Sequence, residues 1–108
     1  MTVFLPMIDY LNAVTGWGFS SQQFLKTAER ILSLRKAFNV REGLSQADFR
    51  LHDRAIGKEP MKEGPLKGVT VDIDDLQKQF FDQVGWDMVT GGPTPQKMKE
   101  LEIDALFA

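Results

Sequence analysis

The chain has 108 residues, an apolar fraction of 43%, a charged fraction of 26% and a formal net charge of −2, which suits one globular domain. This charge gives no reason to expect nucleic acid, because phosphate binding relies on a surplus of Lys and Arg. With no cysteine, the chain cannot form disulfides, thiolate metal sites or cysteine-ligated iron–sulfur clusters. No apolar run is long enough to cross a bilayer and no signal peptide is recognisable, so we expect a cytoplasmic protein without a membrane partner.

A first helix is predicted near the N-terminus. Leu5, Ile8 and Leu11 recur at helical spacing, and Pro6 is acceptable in a first turn, where its missing N–H loses no partner. Gly16 can adopt the left-handed conformation that ends a helix. We therefore expect the first helix to stop at that glycine.

The second predicted helix, over 21–38, has the clearest start signal. Ser20 is a good N-cap, and Gln23 follows three residues later to complete a capping box, while Phe19 and Phe24 occupy the two positions of a hydrophobic staple. An apolar stripe follows at steps of three and four, and its spacing predicts a face packed in the core. The stripe comprises Phe24, Leu25, Ala28, Ile31, Leu32 and Phe38.

The middle of the chain is predicted to be irregular. The pattern breaks from Asn39 to Gly43, and Ser45 can cap a short helix. Three glycines and two prolines between 56 and 68 exclude a long helix. That segment is a connecting loop or an arm that lies across a partner, and residues 68–72 could form one extended segment.

Helix resumes near the end of the chain. Asp72 is a predicted N-cap, and the Gly85-Trp86 ending lets the indole cover Phe81. After a Gly-Gly-Pro turn, Thr94 precedes a proline at the first helical position and begins a last helix, about 95–101, expected to bury Met98 and Leu101. The predicted fold is all-α, with four to five helices in a small orthogonal bundle, a long Gly/Pro-containing loop and one domain over 1–108.

No residue pattern indicates an active site. His52 is the only histidine, so a metal-binding histidine pair is excluded. A triad of Ser45, His52 and Asp53 is formally possible, but nothing suggests an oxyanion hole, and a surface or capping role for the histidine is favoured. The acidic run 72–75 lacks calcium-loop spacing and is explained as a helix cap. We assign no catalytic, cofactor-binding or metal-binding residue.

Two blocks of sequence nevertheless resemble a known family. The first is Leu11-Asn12-Ala13-Val14-Thr15-Gly16-Trp17, with Glu29-Arg30-Ile31 and Phe38-Asn39-Val40-Arg41-Glu42-Gly43 following it; the second is Glu59-Pro60, Gly64-Pro65, Lys67-Gly68, Phe80-Phe81, Gly85-Trp86-Asp87 and Gly92-Pro93-Thr94-Pro95 with Leu101. In order and spacing, over about 10–106, these resemble the C-terminal end of the aldehyde:ferredoxin oxidoreductase family. Residues 51–54 depart from it, since Leu-His-Asp-Arg stands where the family often has Leu-Pro-Glu-Arg, which bears on the substrate branch.

The resemblance implies a parent enzyme that oxidises aldehydes to carboxylic acids at a tungsten held by two pterins. Electrons would pass through a four-iron four-sulfur cluster to ferredoxin. Because the family's cluster cysteines lie upstream of the resembling region, no tungsten, pterin or cluster ligand is carried over, and we expect the chain alone to hold neither metal. It would act as a scaffold for the rest of the parent oxidoreductase, with Asn39, Arg41 and Glu42 as structural polar contacts that fix a turn.

The competing hypothesis is an independent helical protein-interaction module without enzymatic activity. Under the oxidoreductase hypothesis, a segment cut from a larger enzyme should leave apolar surface uncovered. We expect Leu5, Ile8, Leu11, Met61 and Leu66 to contribute to that surface. The isolated chain would then self-associate, and a symmetric homodimer is the commonest form of homo-oligomer.

Overall fold

The computed structural model describes residues 6–107 and is helical, as predicted. The five α-helices are α1 (Met7–Thr15), α2 (Ser21–Arg41), α3 (Asp53–Ile56), α4 (Ile73–Val84) and α5 (Pro95–Glu100). One 3-10 turn, Gln46–Asp48, lies between α2 and α3, and another, Asp104–Leu106, follows α5. The described residues contain no β-strand, only two isolated bridges, between Met61 and Lys67 and between Trp86 and Pro93. The all-α class is confirmed.

The predicted caps and terminal glycines form where the sequence places them. Ser20, Asp72 and Thr94 each accept a hydrogen bond from the backbone N–H three residues on, at 3.2, 3.1 and 3.2 Å. The reciprocal bond of the predicted capping box is also present at Ser20. Gly16 and Gly85 end α1 and α4 with φ of 71° and 72°. These ends are set by local chemistry that needs no distant partner.

The second helix is one turn longer than predicted. It ends at Arg41 and not at 38. The added turn contacts a distant segment, because Gly92 lies so close to α2 that a Cβ there would be 2.7 Å from the Val40 side chain. Packing against Gly92 therefore stabilises helix over residues 39–41, where the apolar pattern of the sequence no longer predicts it.

The middle of the chain is mostly turns. The helix predicted after Ser45 is only a 3-10 turn, and its Asp48 carboxylate accepts hydrogen bonds from the Ser45 N–H at 2.7 Å and hydroxyl at 3.1 Å. These two bonds lower the pKa of Asp48. The extended segment suggested at 68–72 does not join a strand; Val71 donates a single backbone bond to Ile56.

A small core forms where the later elements meet α2. Its buried apolar side chains are Ala37, Phe81, Leu101 and Ile103. Trp86 packs beside Phe81, as predicted, with ring centroids 5.6 Å apart. The described residues thus bury few large side chains.

The molecule is open for its length. Its radius of gyration is 18.2 Å and its extents are 54 × 42 × 20 Å, whereas a compact domain of this length has a radius of about 13 Å. The accessible surface is 8768 Å², against roughly 6,000 Å² for a folded monomer of this mass. Helices that would form a bundle in a self-contained domain are spread out here, and much apolar surface faces solvent.

Candidate docking surface

The side of α2 that meets the core is polar and tightly bonded. We call it the inner α2 face: Glu29, Arg30, Ser33 and Ala37, which lie close together at 100° per residue. Arg30 donates from Nε to the carbonyl of Leu101 at 2.8 Å, and the indole N–H of Trp86 donates to the hydroxyl of Ser33 at 3.2 Å. These bonds, between residues more than 50 positions apart, attach the last third of the chain to α2.

A buried lysine is the strongest charged link in this face. Lys97 is 9% exposed, and its ammonium lies 2.5 Å from a Glu29 carboxylate oxygen and 3.1 Å from one of Glu100. The hydrogen bond to Glu29 raises the pKa of Lys97; burial opposes this rise, and Glu100 adds to it. Sequence analysis missed this residue, because a lysine in a short amphipathic helix reads as solvent-exposed.

The apolar stripe predicted to be core lies on the other side of α2. We call it the outer α2 face: Leu25, Ala28, Ile31, Leu32 and Phe38. The four large side chains are 65%, 54%, 53% and 49% exposed in that order, and Ala28 is exposed as well. Phe24, the first residue of the predicted stripe, is half-buried, and the prediction that the stripe packs in the core is wrong for its other five members. Its physical reason is that the chain covers α2 only along the inner face.

The other apolar side chains that we expected on the exposed surface differ in how far they are buried. Met61 and Leu66 in the 56–68 loop are 58% and 61% exposed, as predicted, whereas Ile8 and Leu11 are half-buried. Leu5 lies outside the described residues. The uncovered apolar surface therefore lies on α2, in the 56–68 loop and on α1, where Met7, Tyr10 and Val14 are 52%, 67% and 86% exposed.

A pair of hydrogen bonds that the sequence did not predict, which we call the Asn12 bracket, joins α1 to the start of α2. The Asn12 side chain accepts from the backbone N–H of Phe19 at 2.7 Å and donates to its carbonyl at 2.8 Å. Both bonds span the linker Gly16–Gly18. The Asn12 amide thus provides partners for the N–H and the carbonyl of Phe19 in place of backbone groups. Nothing in the local pattern distinguishes this asparagine from an ordinary residue of a last helical turn.

The three predicted polar contacts are adjacent at the end of α2. Arg41 pairs with Glu42 at 3.0 Å, with both side chains about half exposed, and its guanidinium lies 4.9 Å from the Phe38 ring. The carbonyl of Asn39 accepts the backbone N–H of Leu44 at 3.0 Å. That these residues fix the turn stays a prediction.

His52 is a helix cap. Its Nδ1 accepts the backbone N–H of Arg54 at 3.1 Å, which agrees with the capping role favoured from sequence. The formal partner Asp53 is instead paired with Lys58 at 3.1 Å. The catalytic triad considered from sequence has no support in this geometry.

Residues 6–107 place no cluster of metal-ligating side chains together. No group of three or more His, Asp or Glu side chains converges there, and no helix in that range is long and apolar enough to cross a membrane. Because the chain has no cysteine, it offers no thiolate to an iron–sulfur cluster.

An open groove of about 720 Å³ lies between the 3-10 turn at 46–48, α3 and the start of α4. Its lining mixes apolar and charged side chains. The Gln46 Oε1 atom at its edge is buried and has no hydrogen-bond partner among the described residues.

Comparison with known proteins identifies the family. The family model described as aldehyde ferredoxin oxidoreductase, domains 2 & 3, matches residues 3–103. The tungsten-containing aldehyde ferredoxin oxidoreductase of Pyrococcus furiosus is 36% identical over 100 residues, covering 92% of this chain and 16% of the relative; that of Thermococcus kodakarensis is 36% identical over 96 residues, covering 88% and 16%. The chain thus spans about a sixth of the length of these relatives. With nearly its whole length matched, the chain belongs to the aldehyde ferredoxin oxidoreductase family.

Proposed function

We propose that this chain is the C-terminal helical part of a tungsten-containing aldehyde:ferredoxin oxidoreductase and serves there as a scaffold. The parent enzyme would oxidise aldehydes to carboxylic acids in the cytoplasm and pass the electrons to ferredoxin. The observation that carries the proposal is the match over 3–103, combined with an accessible surface far above that of a self-contained monomer. Family membership names the enzyme, and the uncovered surface indicates a partner of large area.

The scaffold role follows from the side chains available. The tungsten, its pterins and the cluster need thiolate and phosphate-binding groups that the rest of the enzyme would supply, since this chain lacks cysteine. Several of its polar side chains are engaged in helix caps and in the links from α2 to Leu101 and α5. The chain would hold the neighbouring layers in place and take no direct part in the reaction.

The test is complementation. A Pyrococcus furiosus relative lacking the matched 100-residue segment is co-expressed with this chain, with the relative's own segment as a positive control. We expect the pair to copurify, to contain tungsten and iron, and to reduce a viologen dye on addition of aldehyde. The chain alone should do none of these.

Two results would contradict the proposal. One is a stoichiometric metal retained by the isolated chain after gel filtration, or aldehyde-dependent dye reduction by it. The other is failure of the chain to copurify under conditions in which the relative's own segment does. The second result would favour the independent interaction module.

A further inference from the structure

We propose that the outer α2 face is the surface through which the rest of the parent enzyme holds this chain. This inference rests on the proposed function and adds the location of the interface. The occupant is an apolar surface of the remaining parent polypeptide that also provides a hydrogen-bond acceptor. The uncovered area, the makeup of the face and the length of the relatives support it.

The uncovered area has the size of a permanent interface. The surface exceeds that of a folded monomer of this mass by about 2,700 Å². Stable interfaces bury about 800 Å² per partner, and obligate ones bury considerably more. This excess is spread over the whole open molecule, and an interface of the permanent class on one part of the molecule would fit within it.

The outer α2 face is a continuous apolar part of that surface. From Leu25 to Phe38 it runs for about 20 Å along one rigid helix, at a rise of about 1.5 Å per residue. Arg35, which is exposed, is the only charged residue in the sector of the helix that these side chains occupy. The 56–68 loop instead alternates Met61 and Leu66 with lysines and glutamates, which is typical of a solvated segment.

The lone arginine specifies the chemistry of the occupant. A guanidinium covered by an apolar surface without a partner would be costly, so the covering surface must offer a carboxylate or carbonyl oxygen near Arg35. A second copy of this chain would bring a second arginine and no carboxylate in the same sector of α2. The relatives keep 84% of their length outside the matched segment, and that polypeptide is the larger source of both apolar surface and acceptors.

The absence of cysteine makes the interface directly measurable. Ile31→Cys places a single thiol at the centre of the outer α2 face, and Val89→Cys, at a residue 78% exposed in the turn after Trp86, is the matched control outside that face. Both variants are labelled with a maleimide, alone and assembled with the truncated relative. We expect both to react readily in the isolated chain, and the label on Ile31→Cys to form at least about tenfold more slowly in the assembly.

A second pair of variants tests energetic importance. Ile31→Asp should abolish copurification while helix content stays unchanged, because the side chain is already half exposed; Val89→Asp should copurify as the unaltered chain does. If the unaltered chain assembles while Ile31→Cys stays fully reactive and Ile31→Asp still assembles, the outer α2 face is not the interface, although the proposed function stands. If Ile31→Asp loses only self-association, a second copy is the occupant and the inference is wrong. If the unaltered chain fails to assemble while the relative's own segment does, the proposed function itself fails.

Discussion

Replacing Lys97 by methionine tests whether the buried ammonium links α5 to α2. Methionine keeps the aliphatic stem and a similar helix propensity, so the change isolates the charge. The Glu100 pair contributes below about 1 kcal/mol, because that side chain is 61% exposed. Because Glu29 is 35% exposed, the contribution of the Lys97–Glu29 pair is intermediate between that of an exposed pair and that of a buried pair. Breaking a buried pair costs about 3–5 kcal/mol.

We therefore expect Lys97→Met to lower the free energy of unfolding by about 2 kcal/mol, or roughly 30-fold in the unfolding equilibrium. The assay is urea unfolding followed by tryptophan fluorescence. Lys99→Met on the exposed side of the same helix is the matched control and should change stability by less than about 0.5 kcal/mol. Equal effects of the two substitutions would refute the assigned role of Lys97.

The pH dependence gives an independent check with a defined sign. The pKa of Lys97 is raised above its ordinary value of 10.5 when the chain folds. Its contribution is therefore complete below about pH 10.5 and is lost as the pH rises through the folded value. The stability difference between the unaltered chain and Lys97→Met should be constant near neutral pH and shrink in strong alkali; a difference that persists unchanged would contradict the charge-based explanation.

Three further predictions concern turns and helix ends. Ser20→Ala removes the cap oxygen of α2 and should cost about 1 kcal/mol in urea unfolding; no change would show that the cap is dispensable. The hydrogen bonds from Thr90 lower the pKa of Asp87, so its stabilising contribution is lost as the pH falls below about 3.8, and acid titration of Asp87→Asn by circular dichroism should lack that component. Gly85→Ala should destabilise by more than the roughly 1–2 kcal/mol that its φ of 72° alone would cost, because the new Cβ would also lie 3.2 Å from the nearest carbon of the Lys97 side chain. Gly16→Ala, with a similar φ and open space around it, measures the cost of the backbone conformation alone. Equal losses of stability in the two variants would show that the contact with Lys97 adds nothing.

The helix starts and stops were predictable because their causes are local. A cap such as Ser20 or Asp72 uses atoms within three residues, and a terminal glycine such as Gly16 ends its helix by its own conformation. The contact between Trp86 and Phe81 was predictable for the same reason, since the two positions bracket one helix end. Such features are specified by a short window of sequence.

The inward side of α2 was not predictable because periodicity reports an apolar face but not what covers it. The prediction assumed that the chain contains its own core. The structure instead buries Ser33 and Ala37 and leaves Ile31 exposed. The Lys97 link and the Asn12 bracket were missed because each depends on a tertiary contact with a residue whose position the sequence does not give.

The local nature of the helix ends has a kinetic consequence. Helix formation takes about a microsecond, and proteins dominated by local contacts fold fast. Because a terminal glycine ends α1, a cap begins α2, and a cap and a glycine bound α4 without distant partners, we expect these segments to form helix transiently before the chain docks. The slow step in building the complete assembly would then be the encounter of preformed surfaces, and its rate should depend on concentration when the chain is supplied as a separate polypeptide.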